Sequence, residues 1–253
     1  MADRSNLLSS RARIVRGYYA VIPKEGRVEN ILPALEGCKA TILASPKLGA
    51  DFASYIIEAG PCGRTVRNLG ENESIEYFLY VNEGTISVQV SGKRRIMGKG
   101  AYVYVPPGEG LQFDNQCIHS EIFLYKKKYI PLHDRKPWVF WGDTEKVEWK
   151  SCDGMNHLLS RELLPFDQAF DISFHILLFK KGGCHGFVET HDQEHGAFVL
   201  QGQGMYLLDT VWSPVEKGDF IWMGPYVPQA AYGIGAGEFS YLFSKDCNRD
   251  VIL

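Results

Sequence analysis

Short apolar runs separated by glycine and proline dominate this chain. Runs rich in Val, Ile, Tyr and Phe occupy 53–58, 85–90, 101–105, 122–125, 196–200 and 220–223. Each run has the length of a β-strand and is bounded by residues that favour turns. Helical periodicity is scarce, and its best example, at 158–164, predicts one short helix. The pattern therefore predicts an all-β fold with few short helices.

An internal repeat at a constant offset of 118 residues divides the chain. Residues 76–84 match residues 194–202. The same offset pairs Gly100 with Gly218, Pro107 with Pro225, Leu124 with Leu242, and Lys127 with Lys245. We therefore expect two copies of one β-domain, an N-terminal domain at 1–140 and a C-terminal domain at 141–253. The Pro- and Trp-containing segment at 129–150 is expected to connect them.

Charge and cysteine usage narrow the class of protein. The 253 residues include 27 basic and 30 acidic side chains, a net charge of −3, which gives no electrostatic reason to expect nucleic acid or an anionic membrane as partner. No apolar run is long enough for a signal peptide or a membrane span, so a cytoplasmic protein is expected. Six cysteines lack C-x-x-C spacing, and we expect free thiols.

The densest candidate chemistry lies in the segment 189–195. On a strand, Glu189 and His191 face the same way about 6.6 Å apart and can share one ion. His195 would then lie about 13 Å from His191, so a turn near Asp192 must fold the chain back if all three bind. A helix would place the two histidines one turn apart, as in zinc metalloproteases, but that motif has Glu where this chain has Asp192.

Each repeat resembles the cupin pattern, a small β-barrel with two conserved motifs. The resemblance implies a metal site in the second repeat made by Glu189, His191, His195 and Gln229, a permuted form of the usual three histidines and one glutamate. In the first repeat the second motif survives as Gly100, Pro106, Gly108 and Asn115, but Leu111 stands at its ligand position. Its first motif offers Glu71, Glu73 and Tyr77 without histidine, so we expect a barrel without metal there.

The chain resembles one cupin family more specifically, the (S)-ureidoglycine aminohydrolases, over nearly its whole length. The segments that carry the resemblance are 40–50, 189–196, 202–204 and 244–250. It implies two tandem cupin barrels of the double-stranded, jelly-roll type and an Mn²⁺ cofactor. It also implies hydrolysis of a small-molecule substrate, ureidoglycine, to ureidoglycolate and ammonia. Two alternatives are an Fe²⁺-dependent dioxygenase and a non-catalytic bicupin that binds a small ligand or stores metal.

The remaining expectations concern single residues and the assembly. Glu189 and Lys245 are the candidate catalytic residues, and Tyr206, Tyr241 and Lys245 are the candidate substrate contacts, with the family resemblance as the main support. Lys127 is the repeat partner of Lys245. A supporting role near the site is considered for His185. His119, His133, His157 and His175 are expected to be ordinary core or surface residues. The resemblance also implies a homo-oligomer.

Overall fold

The computed structural model describes residues 11–71, 74–152, 154–246 and 249–251. Two strands, β1 (Arg13–Val15) and β2 (Tyr19–Ile22), precede the first barrel. The first barrel's strands are β3 (Leu35–Ala44), β4 (Phe52–Thr65), β5 (Ile75–Glu83), β6 (Thr85–Val90), β7 (Lys93–Gly98), β8 (Ala101–Val105), β9 (Leu111–Asn115), β10 (Ser120–Lys128) and β11 (Phe140–Asp143). They form one curled sheet in the order β11-β8-β5-β10-β4-β9-β6-β7, with β3 beside β4.

The second half of the chain forms a second barrel from two sheets. Its strands are β12 (Lys150–Cys152), β13 (Met155–Glu162), β14 (Ile172–Phe179), β15 (His195–Gln201), β16 (Gln203–Leu208), β17 (Val211–Glu216), β18 (Phe220–Met223), β19 (Gln229–Ile234) and β20 (Phe239–Asp246). The larger sheet has the order β1-β2-β18-β15-β20-β14-β13-β12, and the smaller one has the order β17-β16-β19.

Among the described residues, helix is limited to the single residue Arg11 and two 3₁₀ turns, Lys24–Gly26 and Thr144–Lys146. The prediction of an all-β fold is therefore confirmed. The helix expected at 158–164 is wrong, because most of that segment belongs to β13, which pairs with β14 from Leu158 opposite Phe179 to Glu162 opposite His175. This pairing satisfies the backbone between two neighbouring strands, which outweighs a local helical pattern. Nowhere in the described ranges is there a helix long and apolar enough to cross a bilayer.

Strand pairing crosses the boundary expected near residue 140 in both directions. Strand β2 pairs with β18 of the second barrel, so residues 13–22 extend the larger sheet of that barrel. Strand β11 pairs with β8 of the first barrel, with Trp141 opposite Val103. Each barrel thus holds a segment that the repeat alone assigns to the other side or to the connection.

Three apolar clusters fill the molecule. One lies inside the first barrel, around Leu79, Val103 and Phe113, and another lies inside the second, around Val199, Leu208 and Tyr241. The third lies between the barrels, where Phe78 stacks on Phe174 with ring centroids 3.7 Å apart. Because side chains alternate along a strand, one face of β15 lines the second barrel while the other packs against the first barrel. The barrels are thereby held face to face by a shared apolar layer.

Two glycines matched by the repeat have the same backbone requirement. Gly84 follows β5 with a φ of 85°, and Gly202 follows β15 with a φ of 75°. A Cβ atom at Gly202 would lie 2.0 Å from the carbonyl oxygen of Glu238, and one at Gly84 would lie 2.2 Å from the Ser120 hydroxyl. A residue with a side chain is strained at such φ values and would clash here. The repeat therefore preserves the turn that ends each of these strands.

Candidate metal and substrate site

The candidate ligands come from two segments that meet at one end of the second barrel. Glu189 forms an isolated bridge with Gln229, the first residue of β19, and each backbone N–H donates to the other residue's carbonyl at 2.9 Å. The chain bends at Asp192 and then enters β15 at His195. The bend returns His195 toward His191, so that their ring centroids are 4.7 Å apart.

Two imidazoles and one amide converge in this corner. The Nε2 atoms of His191 and His195 are 3.0 Å apart, and the side-chain nitrogen of Gln229 lies 3.1 Å from Nε2 of His191. Nδ1 of His195 lies 3.1 Å from the backbone carbonyl of Ser244, which accepts its proton. This hydrogen bond fixes the tautomer and leaves a lone pair on Nε2, the arrangement typical of a metal-binding histidine.

Burial keeps both histidines neutral. It lowers the pKa of His195 well below its ordinary value, and the neighbouring His191 and the charge of Lys245 lower it further. The pKa of His191 is lowered by burial and then by Lys245. Neutral imidazoles can donate a lone pair to a cation, so Lys245 favours the ligating form of both rings.

The two candidate histidine ligands have the spacing that a metal ion requires. Ligand atoms about 2.1 Å from a metal and at right angles are about 3.0 Å apart, which the two Nε2 atoms match. Among the described residues no three His, Cys, Asp or Glu side chains converge closely enough to hold an ion. Glu189 lines a small cavity together with His195 and Gln229, but it does not complete such a cluster. Gln229 turns its nitrogen, not its oxygen, toward His191.

The chemistry of these donors nonetheless fits a divalent ion. Two neutral imidazoles are in place, Glu189 lines the same small cavity as His195, and a half-turn of the Gln229 amide would bring its carbonyl oxygen toward His191. An amide rotated by half a turn occupies nearly the same volume, since its oxygen and nitrogen are almost isosteric. Imidazole, carboxylate and amide oxygen together suit a borderline or hard ion such as Mn²⁺.

The two candidate substrate tyrosines lie beneath the ligands. Tyr206 and Tyr241 are both 2% exposed, and with Glu189, His195 and Gln229 they line a cavity of about 20 Å³. The Tyr206 hydroxyl donates to Oε1 of Gln229 at 3.5 Å. Burial raises the pKa of both phenols, so both stay protonated and can act as donors. Tyr206 thus holds the amide of Gln229 in its present orientation.

Lys245 lies in the wall of a much larger cavity above this corner. It stands directly opposite His195 on β15 and opposite Ser173 on β14. The cavity measures about 580 Å³ and is also lined by Gln193 and Arg249. Its size suits a metabolite, and it opens beside the imidazole pair.

His175 lies in the wall of the same large cavity as Lys245, a position that its sequence context does not indicate. Its ring stacks on Phe243 at 5.1 Å, its Nε2 atom lies 2.6 Å from the Ser173 hydroxyl, and it lines the large cavity with Lys245. Burial lowers its pKa to about 4, with a smaller contribution from Lys245. No motif covers β14, and only the pairing of β14 with β20 brings these residues to the site.

His185 supports the segment that leads to the ligands. Its ring Nδ1 atom accepts a hydrogen bond from the backbone N–H of Ala231 at 2.9 Å, and the backbone N–H of His185 donates to the Ala231 carbonyl at 2.9 Å. These bonds tie the loop before Glu189 to β19, two residues beyond Gln229. His157 lies 3.1 Å from the carbonyl of Cys184, and His119 is exposed.

The first barrel has different residues at each equivalent place. The bridge between Glu189 and Gln229 corresponds to one between Leu69 and Leu111. Leu69, not Glu71, is therefore the counterpart of Glu189, because two more residues separate it from Tyr77 than separate Glu189 from His195. Glu71 is exposed and accepts a hydrogen bond from Asn68, and Glu73 lies outside the described residues.

The same comparison corrects the expected partner of Lys245. Lys126 stands opposite Tyr77 as Lys245 stands opposite His195, so Lys126 is its counterpart. Lys127 points to the other face of β10, where it is 9% exposed, and lines the crevice that contains Asp171 and Asp246. The reason is one additional residue between Gln229 and Lys245 relative to Leu111 and Lys126.

This chain is similar to known proteins in both sequence and fold. No family model matches the chain. The (S)-ureidoglycine aminohydrolase of Escherichia coli strain K12 is 46% identical over 250 residues, which cover 98% of this chain and 95% of that protein. The crystal structure of the E. coli protein YlbA has a TM-score of 0.89 and 44% identity, with 99% of both chains covered. Oxalate decarboxylase of Bacillus subtilis, a protein with Mn(II) centres, has a TM-score of 0.69 at 11% identity, covering 94% of this chain and 79% of that one.

Proposed function

This chain belongs to the (S)-ureidoglycine aminohydrolase family of enzymes with two cupin barrels, and from that membership we propose a manganese-dependent hydrolysis. The substrate is (S)-ureidoglycine, and the products are (S)-ureidoglycolate and ammonia. The structural observation that carries the proposal is the pair of neutral imidazoles, His191 and His195, 3.0 Å apart beside a cavity that contains Lys245. The reaction belongs to purine catabolism through allantoin.

Glu189, His191, His195 and Gln229 would hold the ion. The likeness to the manganese protein oxalate decarboxylase is one of fold and supports only the barrel's capacity for such a site. When bound, Mn²⁺ would supply positive charge that attracts the substrate's carboxylate and polarises the carbon that reacts.

The substrate's carboxylate is expected to pair with Lys245. The lysine is partly buried in the wall of the large cavity, which Glu162 and Asp250 also line, and none of the ion pairs among the described residues includes it. A partly buried cation gains from an anionic partner. Tyr206 and Tyr241 supply phenol hydroxyls at the floor, and His175 with Ser173 forms the wall next to the lysine. These contacts would orient the substrate with its reacting carbon next to the four candidate metal ligands. A fixed orientation lowers the entropic part of the activation barrier.

Two proton transfers complete the reaction. Water forms the new carbon–oxygen bond and loses one proton, while the carbon–nitrogen bond breaks and the amine gains one proton to leave as ammonia. We assign the first proton to the Glu189 carboxylate and the second to the Lys245 ammonium group, Nζ. A carboxylate can accept a proton and an ammonium group can donate one, so Glu189 in the small cavity and Lys245 in the large cavity suit these roles of base and acid.

One experiment separates this function from its alternatives. Purified protein is reconstituted with Mn²⁺ or with Fe²⁺ and given ureidoglycine, and both ammonia release and oxygen consumption are recorded. We expect ammonia with Mn²⁺ and no oxygen consumption with either metal. Oxygen consumption with Fe²⁺ would support a dioxygenase instead, and the absence of any turnover with bound substrate would support a non-catalytic ligand-binding protein.

Two further observations bear on location and on assembly. The five described cysteines are free thiols, which supports the proposal of a reducing, cytoplasmic location; Cys247 lies outside the described residues. Large exposed aromatic side chains on the smaller sheet, Trp212 and Tyr232, support self-association.

A further inference from the structure

The mouth of the first barrel contains a cavity that the hydrolysis does not use. Its volume is about 420 Å³, within the range of small-molecule sites. Leu32, Leu35, Leu69 and Leu124 supply apolar walls, and the rings of Tyr55 and Tyr77 lie among them. Tyr55 and Tyr77 are 8% and 9% exposed, so the cavity has a rigid, preformed lining.

In the first barrel this cavity lies at the place where the second barrel has its four candidate metal ligands. Leu69 and Leu111 replace Glu189 and Gln229, and Tyr77 replaces His195. None of these three side chains is a ligand for a divalent ion in its ordinary state. The lysine alone is retained, as Lys126, on the same face of the same strand.

The charges of the lining favour an anion. Among the described lining residues, Lys126 and Arg67 contribute two positive charges and Glu71 one negative charge, a net charge of +1. Lys126 is half-buried, its Nζ atom 5.4 Å from the centroid of the Tyr55 ring. Among the ion pairs of the described residues, none includes Lys126 or Arg67. A partly desolvated lysine beside leucines gains most from a ligand that supplies one negative charge.

We propose that this cavity is a binding site for a small organic monocarboxylate with an apolar body. The carboxylate pairs with Lys126 and Arg67, and the body packs between the leucines and the tyrosine rings. A dianion such as phosphate does not match a net charge of +1 in an apolar cavity, and it would leave the leucines without a partner. The site is separate from the candidate metal ligands of the second barrel and from the ureidoglycine reaction.

The test uses the manganese-loaded protein and 4-bromobenzoate as probe. Calorimetric titration measures its affinity, and the anomalous signal of bromine in a soaked crystal gives its position. We expect bromine among Leu32, Leu69 and Tyr55, and binding at least about tenfold weaker for the uncharged 4-bromobenzamide. Inorganic phosphate is titrated in parallel and is expected to bind more weakly than 4-bromobenzoate.

Variants separate the two barrels. Lys126→Met should weaken probe binding by about tenfold or more, because it removes the charge and keeps most of the stem. Lys128→Met on the same strand, whose side chain is exposed, is the matched control and should not change the affinity. If Lys126→Met does not fold, as judged by its thermal midpoint, Arg67→Met gives the same comparison at the cavity rim.

Four results would overturn the proposal, three of which concern where and how the probe binds. They are bromine only in the second barrel, binding that Lys245→Met removes and Lys126→Met retains, and phosphate affinity equal to that of the probe. The absence of measurable probe binding to the intact protein would overturn it as well.

Discussion

Lys245 stands directly opposite His195 across the β15–β20 pair, so an ammonium group faces a buried imidazole on the inner face of the second barrel. Directly opposed residues of an antiparallel pair have their Cβ atoms about 5 Å apart. Burial lowers the pKa of both His191 and His195, and the lysine charge, which opposes protonation of each ring, lowers it further. One side chain therefore supports the metal-binding form of the histidines and offers a charge to the substrate.

Replacing Lys245 by methionine should impair turnover and leave the metal in place. General acid–base groups typically contribute about 10²–10⁴-fold, so a fall of kcat in that range would identify the proton role. A rise in KM alone would identify carboxylate anchoring. Steady-state ammonia release together with metal analysis distinguishes these outcomes.

The control for Lys245→Met must be chosen from the structure. Lys127, the partner expected from the repeat, is buried between the barrels near acidic side chains, so its replacement would affect stability. Lys128 is exposed at the end of β10 and serves better. Equal and small effects of Lys245→Met and Lys128→Met on turnover would remove Lys245 from the site.

Replacing His191 or His195 by alanine should remove metal and activity together. Each ring supplies one neutral nitrogen, and water replaces it poorly in a site with few donors. We expect metal occupancy to fall by about tenfold or more, with ammonia release reduced in proportion. His119→Ala, at an exposed position in the first barrel, is the control. Full metal occupancy in both histidine variants would show that other residues are the ligands.

The protein should bind one metal ion per chain. The first barrel has leucines at the positions of Glu189 and Gln229, and a buried tyrosine at that of His195. Elemental analysis of dialysed protein checks the number, and two tightly bound ions would contradict it. Gln229→Leu, which copies the first barrel, should lower occupancy, whereas Leu111→Gln should add no ion because Leu69 and Tyr77 remain.

Acid should destabilise the protein in part through His175. Burial lowers the pKa of this ring to about 4, below the value of about 6.5 in an unfolded chain. Between these values the unfolded chain binds a proton that the folded protein does not, so stability is complete above about pH 6.5 and falls as the pH approaches 4. For this group the loss between pH 7 and pH 5 is about 2 kcal/mol.

The measurement for His175 is urea unfolding at the two pH values. His175→Gln should show a smaller loss of unfolding free energy between pH 7 and pH 5 than the unchanged protein. His119→Gln is the control because its ring is exposed. An identical pH dependence in both variants and the parent would mean that His175 contributes nothing to acid destabilisation.

Much of this architecture was predictable from local sequence. Strands β6, β8 and β18 have the bounds expected from their apolar runs, since glycine and proline end them on both sides. The glycine turns after β5 and β15 explain why the repeat is visible at all. The strand at 155–162 differs from the predicted helix, because Leu159 and Leu163, four residues apart, imitate helical spacing while only long-range pairing with β14 decides the structure.

The site was less predictable, for a geometric reason. An alignment without gaps keeps one offset, but the loop before Tyr77 is two residues longer than the loop before His195, and the loop before Lys245 is one residue longer than the loop before Lys126. A shift of one residue moves a side chain to the other face of the strand, as it does for Lys127. His175 and Ser173 belong to no motif, and only the strand neighbours of β20 identify them.

The protein should associate with copies of itself through the smaller sheet of the second barrel. Strand β17 is an edge strand of that sheet, and an exposed edge with apolar side chains is a natural template for pairing. Trp212 on β17 is 44% exposed and packs edge-on against Tyr232, 36% exposed, with ring centroids 5.2 Å apart.

Light scattering at micromolar concentration should give a mass above the 28.5 kDa of one chain. Trp212→Glu should lower that mass, because it places a charge at the edge, whereas Ile118→Glu, at an isolated exposed position, should not. A single-chain mass for the unchanged protein would contradict self-association, and an unchanged oligomer in Trp212→Glu would locate the interface elsewhere.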